Sequence, residues 1–294
     1  MLQYEFMRIA FLVGIMLGVI IPLIGTNLVF KRLAMTGDAL SHASLSGVAL
    51  GLLLGFSPVW TAMGVSVISG LIVEVIRKKF QKYSEISIAI IMSVGIGLAA
   101  LLSSFTESAN FENYLFGSIV AITQTELIIT IILFVLVLAY FLVFYRQIMY
   151  SAFSETSAKI AGVKVNFINI SYTTLSALTV AIATRTIGAL LVSSLIVIPV
   201  ASAMQVAKSY KGTIFYSILF SIISVILGIV ASYEFGVKPG GAIVLIAVTI
   251  LAVCMSIKPI SKLILKIKAN KKPKIKTQQI ETETQPNPKR IKTK

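Results

Sequence analysis

Residues 86–104 read ISIAIIMSVGIGLAALLSS, a stretch without one charged side chain. Wound into an α-helix it would be about 28 Å long, close to the thickness of a bilayer's hydrocarbon core. A helix that is apolar on every side has no stable place at the surface of a soluble domain, so the stretch reads as a membrane span. Similar runs lie on both sides of it, at about residues 6–25, 38–56, 59–76, 124–145, 167–184, 187–205, 213–232 and 241–257. The pattern predicts an all-α, polytopic helical membrane protein with about eight or nine transmembrane helices. Only Arg185 and Thr186 separate the sixth and seventh runs, so a single broken or re-entrant helix is the alternative there.

Composition points the same way. The 294 residues are 57% hydrophobic and 13% charged, with a mean hydropathy of +0.94, outside the range of ordinary soluble domains. Of the 26 Lys and Arg residues, 12 follow Ile257, where only Glu281 and Glu283 oppose them. The pI of 9.9 therefore describes a basic tail on a nearly neutral body, and no nucleic-acid partner is expected. Residues 1–257 form the membrane domain, and residues 258–294 read as a basic, disordered tail that can touch anionic lipid headgroups. Cys254 is the single cysteine, which excludes a disulfide framework or a cysteine-based metal site within one chain. The first 25 residues have neither a basic leader nor a small-residue cleavage site, and are expected to be a retained first span.

Basic residues mark alternate junctions between the runs: Arg77, Lys78, Lys79 and Lys82, then Arg146, Lys159 and Lys164, then Lys208 and Lys211, then the tail. Lys31 and Arg32 fit the same series if they close the first hairpin. The intervening segment SFTESANFE at 104–112 carries Glu107 and Glu112 and no Lys or Arg. The positive-inside rule then sets the basic loops and the C-terminus in the cytoplasm, and 104–112 outside.

The chain has one aspartate, Asp38, and one histidine, His42, in TGDALSHASLSGVALGLLLG at 36–55. Four residues apart on a helix, they share a face one turn apart, so a carboxylate oxygen and an imidazole nitrogen can converge on one ion. Ionisable groups inside a span are costly, about 2.5 to 3.5 kcal/mol on insertion scales, and mark function more often than accident. Imidazole favours zinc-like transition metals and carboxylate also accepts manganese. The bland reading makes Asp38 a helix cap and His42 a packed or backbone-bonded side chain. Two donors do not fill a zinc shell, so waters, other ligands or symmetry-related copies must complete a site. Beside the pair, Ala39, Ala43, Gly47, Gly51 and Gly55 repeat at every fourth position, suited to a pathway wall, a dimer seam or plain helix packing.

GDALSHASLSGVALG at 37–51 resembles the signature of the zinc and manganese permease family of ABC transporters. YLFGSIVAIT at 114–123, ETSAKIAGVKV at 155–165, RTIGALLVSSLIVIPVASAM at 185–204 and PGGAIVL at 239–245 are similar to further segments of that family, in order. The resemblance spans about residues 5–257 and looks nearer to the zinc members. It implies a metal-type ABC importer permease in a bacterial plasma membrane, working as a homodimer with a second copy of itself. It also implies cytoplasmic ATPase subunits and an extracellular metal-binding lipoprotein or periplasmic solute-binding protein as partners. The cargo would be zinc or manganese, with no permanently bound cofactor, and the metal-binding role carries over to Asp38 and His42. In ASYEFGVKPGG at 231–241, Glu234 and Gly236 stand in a region that often carries an aspartate in relatives. Glu234 is accordingly a candidate ligand on the outer side or a plain exposed loop residue.

No GxxxxGK[ST] sequence occurs, so the chain lacks the phosphate-cradling loop of an ATPase. It is expected to be a non-enzymatic subunit that receives motion through a cytoplasmic loop. SETSAKIAGV at 154–163 suits that loop: Glu155 and Lys159 have the spacing of a short exposed helix, and Gly162 can end it. The rival readings are an ion- or proton-coupled secondary transporter with Asp38 and His42 as relay, an ABC permease for a metal chelate, and a membrane acid–base enzyme. The last has no nucleophile or further carboxylate beside the pair to support it.

Overall fold

The structure is a computed structural model that describes residues 4–80, 84–105, 117 and 122–270. Every regular element among them is helical: α1 Glu5–Phe30, α2 Thr36–Leu54, α3 Pro58–Lys79, α4 Ser84–Ser103, α5 Gln124–Phe153, α6 Glu155–Ile160, α7 Val165–Thr186, α8 Ala189–Val206, α9 Tyr210–Phe235 and α10 Pro239–Asn270. Glu107, Glu112, Lys82 and residues 271–294, on which part of the topology and tail reading rests, lie outside the described residues. The chain divides into two units, Met1–Cys254 and Met255–Lys294.

Eight of these helices are long and apolar enough to cross a membrane. The seventh run, 187–205, is α8, whose described apolar segment Leu191–Val206 is shorter than those eight. The sixth and seventh runs are separate helices, broken at Gly188, whose φ of 104° and ψ of 143° lie where essentially only glycine is found. α10 runs on past residue 257, where the apolar run ends.

In the larger unit, α1, α2 and α7 are the inner helices, with two-thirds of their apolar windows buried, while α3, α4, α5 and α10 bury under a third. Leu17, Ile20, Ile21 and Ile24 of α1 pack in one core with Val137 and Phe141 of α5, Val180 of α7, Leu195 and Ile196 of α8, and Val225 and Ile229 of α9. Lipid is as apolar as leucine, so close approach at small residues is what favours such contacts. Gly25 abuts the Ile196 carbonyl, Gly228 abuts Ile243, and Gly70 lies against Thr173 and Leu40. Polar bonds add to them: Ser66 Oγ donates to the Ala177 carbonyl at 3.0 Å, joining α3 to α7, and the Tyr172 hydroxyl donates to the Ile24 carbonyl. At one end of the bundle the rings of Phe30, Phe153 and Tyr210 meet at centroid distances of 5.2 to 5.8 Å, holding the end of α1, the end of α5 and the start of α9 together.

Candidate functional site

α2 carries the acid–imidazole pair because a small-residue helix can be surrounded. Gly37 meets Ile196 of α8. Ala39 packs with Val73 of α3 and Ile88 and Ile91 of α4. Gly95 of α4 rests on the backbone of His42 and Ala43, and Gly47 and Gly51 rest on Pro58, Thr61 and Ala62 of α3. At 100° per residue Gly37, Ala39, Ala43, Gly47 and Gly51 lie within one arc of about 160° of α2. Asp38 and His42 project into the remaining sector, with side-chain exposures of 28% and 16%.

The helix begins at Thr36, and its N-cap is Met35, which makes no side-chain cap bond. Asp38 is therefore a first-turn residue at the positive end of the helix dipole and not the cap. His42 Nε2 lies 3.9 Å from Asp38 Oδ1, too far for a hydrogen bond. Two donors held about 2.1 Å from one tetrahedral ion would be about 3.4 Å apart, so a small side-chain rotation brings both onto a common cation. No cluster of three or more His, Cys, Asp or Glu residues suited to a metal occurs among the described residues, so among these the pair offers two protein donors of those types. The other polar groups of α2 turn inward: Ser41 Oγ donates to the Gly37 carbonyl at 2.9 Å and Ser46 Oγ to the Ala43 carbonyl at 2.7 Å.

The structure does not bring Glu234 to this pair. It is exposed at the end of α9, about 36 Å along that helix from Tyr210, which lies at the Phe30 end of the bundle. Gly55 stands apart from Gly47 and Gly51: it closes α2 with a φ of 70°, and nothing lies within 4 Å of the place a Cβ would take.

The segment read as an exposed connector is the short helix α6. Ser154 caps it by accepting from the Ser157 amide at 3.2 Å, and Gly162 ends it with a φ of 80°. Lys159 and Ile160 are exposed, whereas Glu155 turns into the bundle. Its Oε1 accepts from Asn169 Nδ2 of α7 at 3.0 Å and from an Arg77 terminal nitrogen of α3 at 3.1 Å, and meets Lys31 Nζ, just after α1, at 3.4 Å. Lys31 also donates to Asn169 Oδ1 at 2.6 Å, and Arg77 forks onto Glu74 at 2.9 and 3.0 Å. Burial pushes the Glu155 carboxyl up, but Arg77 and Lys31, with the Asn169 bond, outweigh it and hold it below the usual carboxylate range. Burial is also the main influence on Lys31, and lowers its ammonium despite Glu155. A second ion pair joins Glu126, buried in the first turn of α5, to Arg185 at the end of α7, with Nε and Oε1 2.6 Å apart. Sequence reading used Lys31, Arg77 and Arg185 only as topology markers. Apart from Glu74, three residues before Arg77, the residues they meet stand 59 to 138 positions away, and no local pattern announces those.

An inner helix offering two metal-type donors to an open sector, inside a bundle long enough to cross lipid, is the arrangement of a membrane permease. The chain belongs to the ABC 3 transport family, whose model matches residues 3–258. It is a multi-pass permease subunit of an ABC transporter and not the ATPase. It is 35% identical over 263 residues to the "Probable metal transport system membrane protein" of Treponema pallidum, covering 89% of this chain and 99% of that one. It is 27% identical to the manganese transport system membrane protein MntC of Listeria innocua (88% and 93% covered) and 28% identical to the high-affinity zinc uptake system membrane protein ZnuB of Haemophilus influenzae (83% and 94%). Among solved structures it is similar to PsaBC from Streptococcus pneumoniae in complex with Fab, with a TM-score of 0.77, 28% identity and coverage of 86% of this chain and 91% of that one.

Proposed function

We propose that this permease carries divalent transition-metal ions into a bacterial cell across the plasma membrane, with zinc favoured over manganese and Asp38 and His42 as the protein ligands on the way. The observation that carries the proposal is the pair itself: the chain's only aspartate and only histidine lie 3.9 Å apart on an inner helix. Relatives named for manganese and for zinc stand at nearly equal identity, so the ranking of the metals rests on ligand chemistry. An imidazole donor binds zinc more tightly than manganese in the general order of divalent metals, while a carboxylate accepts either.

The open sector has a mechanical use. A closed four-donor site would trap the ion, whereas two donors plus water or a second copy's pair can hold it briefly and release it. In this reading a solute-binding protein delivers the ion from outside, and two permease copies form the pathway. Cytoplasmic ATPase subunits push on α6, and the basic tail lies on the cytoplasmic side near lipid headgroups. Glu234, exposed and remote from the pair, has at most a role in ion capture at the outer surface.

The test is uptake into vesicles holding the permease, its ATPases and its binding protein, with zinc and manganese offered separately and in competition. Asp38→Ala and His42→Ala should each lose uptake at equal expression, and zinc should outcompete manganese in the parent. Parental rates in both variants would remove the site assignment. Preference for manganese would overturn the metal ranking alone, and uptake without ATPases would favour the ion-coupled reading.

A further inference from the structure

α6 is too short to be stable by itself, and a helix meant to transmit force needs a rigid attachment to whatever it moves. The usual means, a long packed face, is absent: Ala158 is its one buried residue, while Ile160 is 85% exposed. What fixes its first residue is the Glu155 carboxylate. One oxygen reaches Asn169 of α7, Arg77 of α3 and Lys31 in the link between α1 and α2. That link is five residues long and leads directly into the first turn of α2, where Asp38 stands. Glu74, itself buried, holds Arg77 from the α3 side through two bonds, so the guanidinium is fixed in a fork rather than free to follow solvent. An open cavity of about 400 Å³ lies beside this junction, lined by Phe30, Lys31, Arg32, Arg77 and the segment 151–155. Displacement of α6 therefore has room to occur, and the charged contacts make the α1–α2 link follow it.

The geometry points to Glu155 as the transmission residue of the transporter, the carboxylate through which movement of α6 is passed to the link that positions α2 and its metal ligands. This rests on the reading of the chain as an ATP-driven metal permease. Glu155 touches no cargo; it is a positioning residue, and its signature is the number of metal ions delivered per ATP hydrolysed. Generic electrostatic balance is the competing explanation, since a carboxylate between Lys31 and Arg77 would help the fold wherever it stood.

Three proteins separate the two in vesicles with ATPases, binding protein and zinc: the parent, Glu155→Gln, and Glu155→Gln with Asn169→Asp. The double variant returns a carboxylate to the cations but roots it in α7, so the charge is restored and the tie to α6 is not. The transmission role predicts that zinc delivered per ATP falls about tenfold in both variants, the change expected from losing one hydrogen bond to a charged group. An unaltered ratio in Glu155→Gln, or its recovery in the double variant, overturns the role. If Glu155→Gln does not assemble, the double variant and Glu155→Asp, which keeps the carboxylate on α6 and should retain most of the ratio, give the same decision. A parent that moves no zinc or manganese refutes the transport reading instead, and that outcome is distinct from a working parent with an unaffected variant.

Discussion

Gly95 of α4 sits where the structure tolerates no side chain, and the tolerance can be measured. A Cβ built there would lie 2.9 Å from the Ala43 nitrogen, 2.9 Å from the His42 carbonyl carbon and 3.2 Å from the Ala43 Cα. Nonbonded heavy atoms prefer about 3.5 to 4.0 Å, and all three obstacles are backbone, so no rotamer change relieves the overlap. Gly95→Ala must push α4 away from α2 by about 0.6 to 1 Å, and overpacking of that size costs about 1 to 3 kcal/mol. Gly97, two residues on in the same helix, is exposed and has nothing within 4 Å. Gly97→Ala adds the same methyl to the same helix without a clash, and should be neutral or gain from the better helix propensity of alanine.

The assay is thermal unfolding of the purified permease in detergent, together with zinc affinity by calorimetry, for the parent and both variants. Gly95→Ala should unfold at a lower temperature and bind zinc more weakly, because the displaced backbone is that of His42 itself. Gly97→Ala should match the parent in both. Equal unfolding temperatures and equal zinc affinities for the two variants would refute the claim that α4 fixes the position of the histidine.

Glu126→Ala should destabilise the permease by about 3 kcal/mol in denaturant or thermal titrations, because it removes the buried carboxylate that Arg185 meets at 2.6 Å; a loss within 0.5 kcal/mol, roughly that of a neutral surface change, would count against this pair as a structural tie. Acid should act through Glu155. Its carboxyl is lowered from an ordinary value of 4.5, so the stability it contributes is full above that pH and is lost as pH falls through the lower folded value. Lys31 and Arg77 stay charged over this range and Glu74 is common to both proteins, so the difference in unfolding temperature between parent and Glu155→Gln should be constant from pH 7 to about 5 and shrink below about 4.5. A difference that does not change down to pH 3 would show that the carboxylate charge contributes nothing.

The spans were legible because lipid leaves the backbone no other partner, so each crossing must be a long apolar helix and leaves a visible run. The pair on α2 was legible because four residues on a helix is a local relation. Its surroundings were not. The stripe from Ala39 to Gly55 announces close packing but not its direction, and the structure divides it: Gly47 and Gly51 go to α3, Ala43 goes to Gly95 of α4, and Gly55 ends the helix. The Glu155 junction was hidden for the same reason, since its partners Asn169, Arg77 and Lys31 come from three other places in the chain. The Glu155 and Lys159 spacing suggested a self-supporting exposed helix, and tertiary cations took the carboxylate instead. One further signal does lie in the sequence. α2 and α7 are the least apolar of the eight candidate spans, yet they are among the most buried, while α5, the most apolar, is mostly exposed. In water that order would be absurd. In lipid it follows, because burial of an apolar side chain between helices gains little over contact with acyl chains, whereas serine, threonine, aspartate and histidine avoid a cost only by turning inward. The weakest apolar run that still spans is thus the place to look for a pathway, and in this chain that run is the one bearing Asp38 and His42.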